Sequence, residues 1–372
     1  MIHGDLFMNY KILHVFPSFA LAGQQVRFCD IVNSQINNVE HIVIALDNNY
    51  DAFCRVNNVE CVGQIHFVFR DKKFNKRIAD YLTILKIHKT DLLITYNWGA
   101  TEFIIANFIF RHCPMVHIED GFNVDERDKQ KIRRVLARRF LFTRIKKLIV
   151  PSKTLERIAI DSWRQRPEKI QYIPNGIDLS YYKKTHVIKP SDAPVTIGTV
   201  ASVRTIKRLD RLINCFKQLN CDQPIRLSIV GDGDVLPQLK ALAVGDERIV
   251  FHGFQKDPRA FIEEMDIFAL TSDSEQMPYT VLEAMALGKP VVSTDVGDIK
   301  NMVSHENKPF VVPLEKNNQL ISAFNLLISE PQLRHSIGEK NYLKCHKEYS
   351  VESMIAAHLK TYLQAINHSK PL

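Results

Sequence analysis

The sequence predicts an α/β protein of two doubly wound parallel-sheet domains facing each other across a cleft. Three observations carry that expectation. The chain has 372 residues, more than one hydrophobic core usually serves and a natural length for two domains. Short apolar runs of strand length alternate with helical patterns along almost all of it, as in a parallel sheet covered on both faces. The alternation breaks once, between Ile173 and Val195, where the proline, glycine, asparagine and charge of "IPNGIDLSYYKKTHVIKPSDAPV" mark a linker. The expected division is a first domain over 9–178, the linker over 179–194, a second domain over 195–349, and a C-terminal helix over 350–372 that packs back on the first domain.

The elements follow in order. "YKILHVFP" is a buried strand, "ALAGQQ" its turn and "VRFCDIVNSQI" a helix. "HIVIAL" and "IHFVF" are strands, "RIADYLTILKIHK" a helix and "DLLITYN" a strand. "ATEFIIANFIF" is a helix, "PMVHIED" a strand, and "KLIVPS" the strand that follows a long basic segment. The second series runs "VTIGTVA", "RLDRLINCFKQL", "IRLSIVG", "VLPQLKALA", "IVFHG", "DPRAFIEEM" and "DIFALTS". Then come "SEQMPYTVLEAMALGKP", "PFVVP", "NNQLISAFNLLIS" and "SVESMIAAHLKTYLQAI". Residues 1–8 precede the first strand as a ragged leader, with Met8 an alternative start.

Composition narrows the class. Hydrophobic residues make up 45% and charged residues 24%, a soluble globular profile. No apolar run is long enough to cross a bilayer, and no signal peptide is evident. The seven cysteines are scattered and form no Cys-x-x-Cys pair, which suits a reducing cytoplasm and disfavours a disulfide framework or a zinc site. The net charge of +8 is unevenly spread. From Arg127 to Lys147 the chain reads "RDKQKIRRVLARRFLFTRIKK", with Asp128 its one acid. Ile132, Val135, Leu136, Phe140 and Leu141 recur there at helical spacing. Such a helix suits an anionic membrane surface, and equally a solvated face whose apolar side packs on its own domain. No nucleic-acid recognition motif is present.

Two acids stand out in "SEQMPYTVLEAMALGKP". Pro278 suits the start of a helix, Gly288 its end, and Pro290 prevents a restart. Glu275 then lies in the loop before the helix and Glu283 one turn inside it. Because helical side chains lean toward the N-terminus, both acids can border one small volume. The first-turn amides, those of Tyr279, Thr280 and Val281, are expected to face that volume, and helix N-terminal amides favour a phosphate. Read singly, each acid is an ordinary loop or dipole-complementing residue. Arg204 and Lys207 follow the first strand of the second domain, where two cations can balance a diphosphate leaving group. Arg208 and Arg211 read as helix-surface charges. Asp232-Gly233-Asp234 reads as a tight turn rather than a metal-binding pair, and His252, His305 and His335 as surface or packing residues.

In the first domain His117, Glu119 and Asp120 end a strand and are expected to project into the cleft, where they can orient hydroxyls or move a proton. Trp98, at another strand end, suits a sugar ring or the core. Neither domain carries the Gly-x-Gly-x-x-Gly that dinucleotide binding requires, and no Walker loop is present.

Taken together, "EQMPYTVLEAMALGKPVVSTDVGD", "YIPNGID", "IGTVASVRTIKRLDRLI", "IVGDGDVLPQL" and "IVFHGF" resemble, in order and spacing, the family 4 glycosyltransferases of the GT-B fold, whose domains are Rossmann-like. The resemblance covers nearly the whole chain and is most specific in the second domain. It implies a retaining, metal-independent, cytoplasmic enzyme that uses a nucleotide-diphosphate sugar, without a further cofactor, in envelope polysaccharide synthesis such as lipopolysaccharide. The acceptor is then a glycan or a lipid-linked glycan, with an anionic membrane surface as a further partner. By the same resemblance Glu283 holds ribose hydroxyls and Glu275 the donor sugar. Arg204 and Lys207 grip the diphosphate, and the backbone at Gly253 and Phe254 frames the base. Gly23 lets backbone approach the donor phosphates, and His117 lies by the sugar and acceptor. Three places depart from the family pattern. Gln276-Met277 replaces Gly-Phe after Glu275, Ala201-Ser202 replaces Gly-Arg before Lys207, and Gly23 stands where a doubled glycine is common. A sugar-nucleotide epimerase and an inactive sugar-nucleotide-binding partner are the rival readings.

Overall fold

The computed structural model describes residues 10–34, 39–66, 73–110, 112–122, 126, 130–183 and 193–367. The leader 1–8, residues 127–129 of the basic segment and most of the linker lie outside them. The chain divides into two compact units, one of residues 1–174 with 352–372 and the other of residues 175–351.

The first unit holds β1 (Tyr10–Phe16), β2 (Val39–Ala45), β3 (Val62–Gln64), β4 (Leu92–Tyr96), β5 (Met115–Ile118), β6 (Lys147–Val150) and β7 (Ile170–Tyr172). They form one parallel sheet in the order β3-β2-β1-β4-β5-β6-β7. The third strand was expected over "IHFVF"; it forms three residues earlier, and 67–69 fall outside the described residues. The central strands read as continuous apolar runs because both faces are covered. Ile12, Leu13, Val15, Leu93 and Ile94 are all fully buried, as expected of a parallel sheet between helix layers.

The second unit holds β8 (Val195–Val200), β9 (Ile225–Val230), β10 (Ile249–Gly253), β11 (Ile267–Leu270), β12 (Val291–Thr294) and β13 (Val311–Val312). Their order is β10-β9-β8-β11-β12-β13, again all parallel. Hydrophobic clusters cover both sheet faces, one around Ile197, Leu212, Ile229 and Phe324, the other around Phe268, Leu282, Met285 and Val291.

One long helix, Pro331–Glu348, is invisible to apolar periodicity. Its buried positions are Ile337, Gly338, Asn341 and Cys345, so a glycine and an asparagine stand where the pattern expects hydrophobes. Gly338 lies against the Gly288 carbonyl so closely that a Cβ would meet it at 2.0 Å. Asn341 accepts from the Ser304 amide at 2.9 Å and donates to the Lys289 carbonyl at 3.0 Å. The next helix, Val351–Asn367, belongs to the first unit. There Tyr362 and His358 are fully buried beside Tyr96 and Arg27.

Candidate active site

In the second unit the strand order reverses direction between β8 and β11. Loops leaving the carboxyl ends of such a pair diverge and open a crevice. These two loops carry the residues singled out above. Lys207 and Glu275 line one crevice with Thr199, Ala201, Ser272 and Thr280. Lys207 Nζ donates to Glu275 Oε1 at 2.5 Å, and Ser272 Oγ donates to the same oxygen at 2.7 Å.

The backbone supports that pair from several sides. Immediately after Lys207 the chain turns at Arg208, a non-glycine residue in the left-handed region with φ 48°. Such a conformation persists only where surrounding contacts hold it. Here the Arg208 guanidinium pairs with Asp210 and Asp273, and its carbonyl accepts from Thr271 Oγ1 at 3.0 Å. Arg211 is buried, donating to the Thr271 carbonyl at 2.7 Å and pairing with Asp273 at 2.8 Å. Arg211 is therefore not a surface charge, and Arg208, about a third exposed, is held by two carboxylates. The two arginines tie the β11 loop to the β8 loop and thereby fix Glu275 opposite Lys207. Gly297, with φ 59°, closes the other side, where a Cβ would stand 2.4 Å from the Glu275 carbonyl.

The Tyr279–Ala286 helix begins beyond Pro278, which serves as its N-cap. The Val281 amide donates to the Pro278 carbonyl at 3.2 Å, so the expected three-amide cradle loses Val281 to the turn itself. Glu283 is not among the residues lining the Lys207–Glu275 crevice. It meets Tyr182, which hydrogen-bonds to it. Burial first, and the Glu283 charge second, hold the Tyr182 hydroxyl above its usual pKa, so the phenol stays a donor to the carboxylate.

Arg204 is exposed, its Nε donating to Ser202 Oγ at 3.1 Å. The Asp232-Gly233-Asp234 segment is a tight turn in which Asp232 Oδ1 accepts from the Gly233 amide at 2.7 Å. Gly231, with φ 136°, approaches the Ala201 carbonyl so closely that a Cβ would lie 1.8 Å away. Ala201, where the family has glycine, is thus met by a glycine on the facing loop. The Gly253 carbonyl accepts from the Gly231 amide at 2.8 Å, and Phe254 beside it is exposed.

The first unit also reverses its strand order, between β1 and β4. Gly23 is exposed at the N-terminus of the Gly23–Asn33 helix after β1. Asn97, with φ 54°, follows β4 and links the two loops. Its side chain donates to Gln24 Oε1 at 3.1 Å and accepts from the Asp120 amide at 2.7 Å. Asp120 pairs with buried Arg27 at 2.6 Å.

The neighbours of Asp120 depart from expectation. His117 and Glu119 do not project from the sheet end; both are fully buried. His117 Nδ1 shares a hydrogen bond with Thr95 Oγ1 at 2.8 Å, and its ring packs on Phe142. Its Nε2 lies 3.3 Å from Glu119 Oε2. Glu119 in turn accepts from Arg138 at 3.4 Å. Arg138 comes from the basic segment, whose helix spans Ile132–Leu141. This arginine is fully buried between Trp98, Phe122 and Trp163, its guanidinium 4.9, 5.5 and 5.1 Å from their ring centroids. Arg134 pairs with Glu126 at 2.9 Å and also overlies Trp98. The strand end is thus sealed from within by an arginine reaching back from the helix. Trp98, half-buried, stacks against that cation.

Two family models match. "Glycosyltransferase Family 4" covers residues 22–181 and "Glycosyl transferases group 1" covers residues 194–330. The chain belongs to glycosyltransferase family 4. Among curated relatives, the family 4 protein is 23% identical over 197 residues to N-acetyl-alpha-D-glucosaminyl L-malate synthase of Bacillus anthracis. That match takes in 52% of this chain and about half, 51%, of the relative. It is 24% identical over 267 residues to the UDP-Gal:alpha-D-GlcNAc-diphosphoundecaprenol alpha-1,3-galactosyltransferase of Escherichia coli, spanning 67% of this chain and 69% of that one. Among solved structures, Anabaena Alr3699/HepE in complex with UDP superposes with a TM-score of 0.79 at 20% identity, over 94% of this chain and 99% of the other. That likeness establishes the two-domain GT-B fold of the family 4 protein.

Proposed function

We propose that this family 4 protein is a retaining, metal-independent glycosyltransferase. It moves a sugar from a nucleotide-diphosphate sugar to a glycan or lipid-linked acceptor in surface polysaccharide synthesis. The observation that carries the reading is the Lys207–Glu275 ion pair, held at the strand-order reversal of the second unit in a crevice that Thr280, from the first turn of a helix, also lines.

The chemistry follows from that arrangement. A diphosphate entering the crevice competes with Glu275 for the Lys207 ammonium. Its charge is then met by Lys207, by Arg204 at the rim and by the Tyr279 and Thr280 amides. These groups stabilise the negative charge that grows on the leaving diphosphate as the glycosidic bond breaks. Glu275 keeps its hydrogen bond from Ser272 and turns its remaining acceptor capacity to the hydroxyls of the sugar ring. Glu283, steadied by Tyr182, accepts the two ribose hydroxyls. Gly253 and Phe254 lie along the base, Gly23 lets backbone approach the donor phosphates, and Asp120 marks the acceptor side of the first unit. Metal independence is supported by two features: positive charge comes from the chain itself, and Asp232 spends its carboxylate on its own turn. The UDP complex of the Anabaena protein and the lipid-diphosphate acceptor in the Escherichia coli relative's name support the substrate classes. The setting is cytoplasmic, with the protein held peripherally at the inner face of the membrane.

The test is a thermal-shift screen against UDP, GDP and ADP, followed by sugar transfer in excess EDTA and assignment of the product anomer by NMR. One nucleotide should raise the melting temperature, since a ligand of the folded state stabilises it. Transfer should persist in EDTA with the donor's anomeric configuration retained. Loss of transfer in EDTA with recovery on adding magnesium or manganese, or an inverted product, would overturn the mechanism. Binding without transfer to any acceptor would favour the inactive-partner reading.

A further inference from the structure

We propose that the outer face of the Ile132–Leu141 helix, together with the ends of two neighbouring helices, seats the protein by shallow insertion of apolar side chains into an anionic lipid bilayer. The proposal rests on the reading that the acceptor is met at a membrane, and it names the surface that meets it. From the sequence, the natural expectation is that arginines face the lipid and the apolar stripe faces the protein. The structure reverses much of that. Arg138 is buried in its aromatic cage, and Arg134 is paired with Glu126. The residues left outside are Ile132, Leu136 and Phe140, at 70%, 55% and 55% exposure. Their spacing of four places them on one side of the helix.

The exposed face continues past the helix. Phe140 packs edge-on against Phe108, near the end of the Thr101–Phe110 helix, whose last residues Ile109 and Phe110 are exposed. Lys86 overlies Phe110 at 5.0 Å, and the adjacent Ile87 is exposed, both at the end of the Phe74–His88 helix. Six large apolar side chains thus lie along one helix and at the ends of two others. Cations stand among them: exposed Arg133, Arg139 and Lys86, and Arg144, which overlies Phe108 at 4.4 Å. No acid occurs between Lys131 and Lys147.

An apolar stripe edged by cations fits the boundary of a bilayer, where acyl chains take the stripe and anionic headgroups take the cations. It suits a second copy of this chain poorly. A two-fold contact sets a patch against itself and would oppose these cations to their own kind.

The test is co-sedimentation of the full chain with phosphatidylcholine vesicles, with and without phosphatidylglycerol, at low and high salt. Wild type should partition onto the anionic vesicles and keep a measurable fraction of that binding at high salt, because apolar insertion is not screened. Leu136→Ser/Phe140→Ser should bind at least about tenfold more weakly at both salt levels, with an unchanged melting temperature. Arg133→Ser should lower only the salt-sensitive part. Wild type that ignores anionic vesicles, or a double variant that binds as wild type does, would overturn the proposal. So would a wild-type dimer that becomes a monomer in the double variant, which would assign the face to a second copy. Transfer to a soluble acceptor analogue is measured in parallel. Its loss in wild type speaks against the transferase reading and leaves the vesicle result standing.

Discussion

Replacing Lys207 by alanine tests the core of the mechanism, because two separable losses follow from one geometry. In the resting protein Lys207 and Glu275 form an ion pair with side-chain exposures of 19% and 10%. Breaking a fully buried pair from one side costs about 3–5 kcal/mol, and an exposed pair about 0–1 kcal/mol. Glu275 keeps its Ser272 hydrogen bond, and some solvent reaches the pair, so the folded state should lose about 1–3 kcal/mol. Catalysis should suffer more. Removing one preorganised group that meets developing negative charge lowers kcat by about 10²–10³-fold, and Lys207 is the innermost cation of the crevice. Replacing Arg204, which is exposed, should cost less than tenfold and almost nothing in stability. The assay pairs urea denaturation with steady-state transfer from the donor that the thermal-shift screen identifies. Glu275→Gln and the double variant complete a cycle, and a stability coupling near zero would show that the ion pair does not form in solution. A Lys207→Ala enzyme with wild-type kcat would refute the leaving-group role outright.

Two further outcomes bear on the first unit. Arg138→Met should destabilise the protein by about 3–5 kcal/mol, since it takes the cation away from the buried Glu119 carboxylate and leaves Glu126 only its Arg134 partner. Urea denaturation beside Arg133→Met checks it, and equal midpoints for the two variants would remove Arg138 from the core. Acidification should unfold the protein through three buried histidines. Burial lowers His14 and His358 well below the usual value and His41 to about 3. Because the folded values lie below the unfolded value near 6.5, these groups leave stability intact above that pH and erode it below. Each contributes up to about 1.4 kcal/mol per pH unit until its folded value is reached. Denaturation midpoints at pH 7.5, 6.5 and 5.5 should fall mainly across the last interval, and a flat profile would place the histidines in contact with water.

Much of this was legible beforehand. Strand–helix alternation located both sheets, and the stretch from Glu275 to Pro290 located the crevice, because turn chemistry and helix signals are local. What escaped was carried by residues whose type does not disclose their partners. Arg138 stands among arginines that face outward, and only the aromatics brought by other elements distinguish it. His117 and Glu119 end an interior strand, and the sequence does not say that a later helix returns to cover them. Arg211 sits within a helix like any surface charge until Asp273 and the Thr271 carbonyl meet it. The Pro331–Glu348 helix buries a glycine and an asparagine, which apolar periodicity does not count. Tyr182 lies in a stretch that reads as linker, a hundred residues from the Glu283 that it steadies.

The return of the Val351–Asn367 helix to the first unit has a consequence for how the protein is made. The crossings at 174–175 and 351–352 lie side by side: the Ile177 amide donates to the Tyr349 carbonyl and the Val351 amide to the Ile177 carbonyl, each at 3.0 Å. The second unit is therefore a closed insertion whose two ends meet. On a ribosome, domains fold largely in the order of their synthesis, but this order is inverted. The first 174 residues emerge first and wait for the pieces that bury Tyr96 beside Tyr362 and enclose His358. The unit begun second can finish first, and the nascent chain carries an incompletely covered sheet until the Val351–Asn367 helix leaves the exit tunnel.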